Sequence, residues 1–115
     1  MMDLLSGGAL ALQDLQTFHK KLDKEKQFDQ DMVRNIAYLS GEIGELVSAI
    51  RRLQKVQSLS EEIEARDQVG EELADCLAYV VKLANYAEID LHEAYVNKMR
   101  RNLKREWRPK TNDSS

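Results

Sequence analysis

Met32–Leu53, MVRNIAYLSGEIGELVSAIRRL, decides the fold. Met32, Ile36, Leu39, Ile43, Leu46, Ile50 and Leu53 recur at alternating spacings of four and three. That is the period of an α-helix with one apolar seam and not of a strand. Glu42 and Glu45 each stand one residue before a seam position, which turns them about 100° from it, onto its flank. Residues three apart are neighbours on a helix face, so the two carboxylates lie side by side at the border of the core.

Thirty residues further on the pattern returns. Glu72-Leu73-Ala74-Asp75-Cys76 reads against Glu42-Ile43-Gly44-Glu45-Leu46 as acid, aliphatic, small residue, acid, apolar residue. A helix with Ile63, Val69, Leu73, Cys76, Val80 and Leu83 as its seam carries this second pair in the same relation, and Tyr79 continues the acidic face by one turn. Packed together, the two helices aim Glu42, Glu45, Glu72 and Asp75 at one point. Gly44 costs a helix interior about 1 kcal/mol relative to Ala, which close helix approach or ligand access would offset.

Outward from these two helices the chain stays helical. A first helix runs from about Ala9 to Lys26 on the stripe Leu12, Leu15, Phe18 and Leu22. Asp29 or Asp31 caps the second, and Ser58 or Ser60, followed by Glu61 and Glu62, starts the third. Asp90 with Glu93 opens a fourth helix, which carries Leu91, Ala94, Tyr95, Met99 and Leu103. On its polar side Lys98, Asn102 and Arg105 form a stripe of donors. Residues 1–8 are a flexible N-terminus broken by Gly7-Gly8, and residues 109–115 are a disordered tail that opens at Pro109. The expectation is one all-α domain over 9–108, a four-helix bundle completed by association with further copies.

Composition narrows the function. The chain has 115 residues, 32% of them charged, with a net charge of −3. Both signs are interspersed, so the basic excess required for nonspecific nucleic-acid binding is missing. No apolar run approaches the roughly 18–20 residues of a membrane span. Cys76 is the lone cysteine, which excludes an intrachain disulfide and points to a reduced, cytoplasmic setting.

Four carboxylates from two helices, without His or Cys, suit Mg²⁺ or Mn²⁺ better than zinc. A di-iron bundle expects Glu-x-x-His motifs, and neither His19 nor His92 follows an acid at that spacing. Crowded carboxylates repel one another and resist desolvation, a cost that a divalent ion removes. Beside Lys98, Asn102 and Arg105 such a cluster suits a polyphosphate, with Lys98 stabilising developing negative charge. The residues leave a second reading open, because acid pairs three apart also decorate solvated helices, as Glu61 and Glu64 do. In that reading the chain is a non-catalytic helical oligomerisation or partner-binding module with a structural acid cluster.

GEIGEL (Gly41–Leu46), EELADCLAYVVKLA (Glu71–Ala84), the Ile89-Asp90-Leu91 turn and NKMRRNLKR (Asn97–Arg105) together resemble the MazG-like all-α nucleoside triphosphate pyrophosphohydrolases. The likeness covers about Asn35–Arg108. That family's pattern is Glu-Glu-x-x-Glu followed by Glu-x-x-Asp, with Gly41 standing here in place of the first Glu. The Gly-Glu-x-Gly-Glu-Leu form is similar to the dCTP pyrophosphatase branch, although Arg51-Arg52 replace aromatics found there and Phe28 replaces a Trp. The resemblance implies Mg²⁺-dependent hydrolysis of a (d)NTP to (d)NMP and pyrophosphate, with dCTP or a related pyrimidine nucleotide as substrate, in nucleotide-pool sanitation. It implies a homodimer or homotetramer, with Glu42, Glu45, Glu72 and Asp75 as metal ligands. Lys98 and Asn102 match phosphate or nucleotide contacts and Tyr79 an aromatic near the site, while Phe28 and Arg34 are candidates for base or sugar contacts. Which carboxylate serves as general base stays open, as does a non-nucleotide pyrophosphate as the substrate of the same fold.

Overall fold

The computed structural model describes Leu5 and residues 8–105. It contains the helices α1 (Leu12–Lys26), α2 (Met32–Gln54), α3 (Leu59–Tyr86) and α4 (Leu91–Lys104), and no strand among the described residues. Each boundary has a local cause. Asp31 accepts a hydrogen bond from the Arg34 N–H, Ser58 from Glu61 and Asp90 from Glu93, so three helix starts satisfy one of their orphan donors. The first helix starts at Leu12 and not at Ala9, because the Asp14 carboxylate closes back onto the Ala11 N–H at 2.9 Å. It ends where Gln27 turns left-handed (φ 54°) and returns its N–H to the Asp23 carbonyl. The expectations for residues 1–8 and 109–115 fall, apart from Leu5 and Gly8, outside the described residues.

α2 packs along α3, and α1 packs against α3 and α4. A polar network fixes α1 to the α3–α4 turn. The Gln16 amide donates to Asn85 Oδ1 (3.0 Å) and to the Ile89 carbonyl (2.8 Å), while Asn85 Nδ2 donates to the Gln16 carbonyl (3.0 Å). The Leu91 N–H completes it by donating to Gln16 Oε1 at 3.0 Å.

The two seams divide in a way that periodicity alone does not reveal. Leu39, Leu46 and Leu53 of α2, and Val69, Cys76 and Leu83 of α3, are half-buried between the helices. The alternate positions, Ile36, Ile43 and Ile50 with Leu73 and Val80, are 39–52% exposed. Among the described residues the buried apolar ones are Ala49, Ala65, Val81 and Ala84. The Cα radius of gyration is 17.6 Å, against about 13 Å for a compact domain of this length. The chain is an open arrangement of helices, with an outer apolar stripe on the α2–α3 hairpin. None of the described helices is long and apolar enough to cross a membrane.

Candidate metal–carboxylate site

Glu42 and Glu45 from α2 and Glu72 from α3 bring one oxygen each within 4.8 Å of one another. Glu72 is buried, Glu42 half-buried and Glu45 exposed. Gln68, one turn before Glu72, donates to Glu72 Oε2 at 2.7 Å. Glu72 Oε1 and Glu42 Oε2 are buried with no hydrogen-bond partner. Burial pushes the Glu42 carboxyl up to about 6, helped by the adjoining Glu45 carboxylate and by the charges of Asp75 and Glu72. Asp75 is exposed and contributes its charge without entering the tight group. The expected convergence of four carboxylates is therefore three at close range with a fourth beside them.

Buried, unpartnered carboxylate oxygens are costly in the absence of a counter-charge. A set of oxygen donors only, with two of them in that condition, fits a hard divalent cation such as Mg²⁺ or Mn²⁺. The neighbouring Cys76 thiol is held up by burial and by the charges of Glu42, Glu72 and Asp75.

Two clefts flank the carboxylates. One, of about 480 Å³, is lined by Gly41, Gly44, Glu45, Glu72, Gln68 and Arg52 among others. A Cβ at Gly41 or Gly44 would meet nothing within 4 Å. Close helix approach thus does not account for Gly44, and the open wall it leaves beside Glu45 does. The other, of about 280 Å³, is lined by Phe28, Asp29, Asn35, Tyr38, Tyr79 and Lys82. Tyr38 precedes Glu42 by one turn and Tyr79 follows Asp75 by one turn, with their ring centroids 6.1 Å apart. Burial raises the Tyr79 hydroxyl, and the charges of Glu42 and Asp75 add to the effect, so this cleft adjoins the acid group.

The remaining candidates are distributed unevenly. Phe28 and Tyr79 share the second cleft. Arg34 does not line it; its guanidinium grips Asp29 through Nε and Nη2, and with the Asp31 N–H this holds Asp29 at about 2. α4 rests on α1, and among the described residues Lys98, Asn102 and Arg105 make no ion pair or hydrogen bond with the carboxylates. Asn102 Nδ2 lies 3.9 Å from Met99 Sδ, and its Oδ1 is buried without a partner. Sequence reasoning missed Lys82, whose ammonium stands 3.3 Å from Asp23 Oδ1, and Tyr86, whose hydroxyl donates to Asp23 Oδ2 at 2.6 Å. The sequence marks Lys82 only as the one charge between Asp75 and Glu88, and nothing local names its partners.

The described residues form an all-helical arrangement that gathers oxygen-only carboxylates beside two clefts. Residues 30–107 match the model of the MazG nucleotide pyrophosphohydrolase domain. The match spans most of the chain, and the protein belongs to that family. It takes in α2, α3 and α4 but not α1. No curated protein matches the chain.

Proposed function

We propose that the protein is a Mg²⁺-dependent nucleoside triphosphate pyrophosphohydrolase, converting a (d)NTP to (d)NMP and pyrophosphate in nucleotide-pool sanitation. The observation that carries this reading is the grouping of Glu42, Glu45 and Glu72, each with one oxygen within 4.8 Å of the others, in which Glu42 and Glu72 each also keep a buried oxygen without a hydrogen-bond partner. Glu42, Glu45 and Glu72 would hold the ion, and the Asp75 carboxylate would add its charge. When bound, Mg²⁺ neutralises phosphate oxygens and makes water a better nucleophile. Gln68 fixes the Glu72 carboxylate through its 2.7 Å hydrogen bond, and the open wall at Gly41 and Gly44 leaves room for phosphates. Tyr38, Tyr79 and Phe28 face the nucleoside, for which the resemblance to the dCTP branch suggests a pyrimidine.

α4 packs on α1 within one chain, so in this reading Lys98, Asn102 and Arg105 would serve the phosphates of a site completed by another chain. The outer stripe of Ile36, Ile43, Ile50, Leu73 and Val80 supports a homodimer or homotetramer built on the α2–α3 hairpin. The same stripe favours the second reading, an oligomerisation module whose acids are structural. Incubation with a panel of NTPs and dNTPs in Mg²⁺, with product analysis and a Glu72→Gln control, separates the two. Pyrophosphate plus monophosphate, absent in the control, is the expected result. No turnover by a folded protein would leave the module.

A further inference from the structure

We propose that Lys82 is a specificity-determining residue, selecting a nucleobase with a carbonyl at its far edge (uracil, thymine, guanine) over one with an amino group there (cytosine, adenine). The inference rests on the nucleotide reading above but assigns the base by the chemistry of this cleft, against the cytosine that the dCTP-branch resemblance would favour.

α3 carries Lys82 inward, leaving its side chain 12% exposed. Its Nζ stands 4.9 Å from the Phe28 ring centroid and 5.3 Å from that of Tyr79. Behind it the buried Asp23 carboxylate, fixed by the Tyr86 hydroxyl, supplies the counter-charge that a buried ammonium requires. An ammonium offers three N–H donors and no acceptor. Asp23 Oδ1 faces the ammonium at 3.3 Å as a counter-charge without a formed hydrogen bond, and the two ring faces attract the charge without acting as full acceptors. Lys82 also lines the 280 Å³ cleft, where a donor meets whatever occupies the space between Phe28, Tyr38 and Tyr79.

Aromatic walls on a cleft of that size suit a flat heterocycle. Lys82 lies seven residues beyond Asp75 on α3, about 10 Å along the helix axis. A nucleotide whose phosphates sit at the carboxylates therefore extends its base toward Lys82, with the edge farthest from the sugar facing the ammonium. A carbonyl there accepts a charge-assisted hydrogen bond. An exocyclic amino group presents donor against donor and leaves both unsatisfied. Asp23 and Phe28, which flank Lys82, precede the matched residues 30–107.

The test compares kcat/KM for dUTP against dCTP and for dGTP against dATP in Mg²⁺, alongside calorimetric binding of the four monophosphates, in wild type and Lys82→Met. The expected result is a preference of about tenfold or more for the carbonyl member of each pair, collapsing toward equality in Lys82→Met. Lys82→Met combined with Asp23→Asn removes both buried charges together and carries the comparison if the single variant does not fold. A wild type that favours dCTP and dATP, or a ratio unchanged in a folded variant, overturns the assignment while the hydrolase reading stands. Absence of hydrolysis with a Lys82-dependent binding preference overturns the reaction and upholds the assignment. Absence of both turnover and binding overturns both.

Discussion

Glu42 shows how one side chain reports on the whole cluster. Its folded value of about 6 lies above the ordinary 4.5, so the folded state holds this proton more tightly than the unfolded chain. The stabilisation is fully present below about pH 4.5 and is lost as pH rises through about 6. Thermal melts of metal-free protein should therefore fall in Tm between pH 5 and 7 more steeply for wild type than for Glu42→Gln. Mg²⁺ should recover the loss at pH 7 in the wild type alone. Gly44 makes a second residue-level prediction. Gly44→Ala removes a helix-interior glycine with open space around its Cβ and should stabilise the fold by about 0.5–1 kcal/mol. The added methyl narrows the wall beside Glu45, so kcat/KM for the best triphosphate should fall while Tm rises. The acid pairs were legible in the sequence because three-residue spacing is a local rule. Lys82 was not, since Asp23 and Phe28 come from another part of the chain and no local period connects them.

At the scale of elements, the helix starts at Met32, Leu59 and Leu91 were readable from Asp31, Ser58 and Asp90, because capping is a contact within four residues. The start of α1 was misread because Asp14, inside the helix, and not a residue before it, satisfies the first donor. The Gln16–Asn85 network was invisible for a different reason: its partners are 69 residues apart. It ties α1 to the α3–α4 turn, so Asn85→Ala should lower unfolding stability in urea by about 1–3 kcal/mol. Gln16→Ala should cost a similar amount, and the double variant less than the sum, because both changes break the same bonds. Additive losses in that cycle would show that the two amides act separately.

At the scale of the molecule, the sequence specified which residues are apolar but not what covers them. The seam of α2 reads as one stripe, yet Leu39, Leu46 and Leu53 face α3 while Ile36, Ile43 and Ile50 face outward. A period of four and three cannot distinguish an inner contact from one awaiting a second copy. Under the proposed assembly, light scattering should return a mass of two or four chains, and Tm should rise with protein concentration. Ile43→Glu on the outer stripe should shift the mass toward one chain and abolish the concentration dependence, without touching the inner leucines.

The outer stripe also ties the persistence of the protein to its copy number. Among the described residues the only buried apolar side chains are three alanines and one valine, so under the proposed assembly much of the protection comes from another chain, and dilution lengthens the time each copy spends with isoleucines uncovered. Proteases and chaperones act on that population. Halving synthesis would then reduce the standing amount by more than half, and the gene would behave in the cell as dosage-sensitive although nothing in its chemistry is.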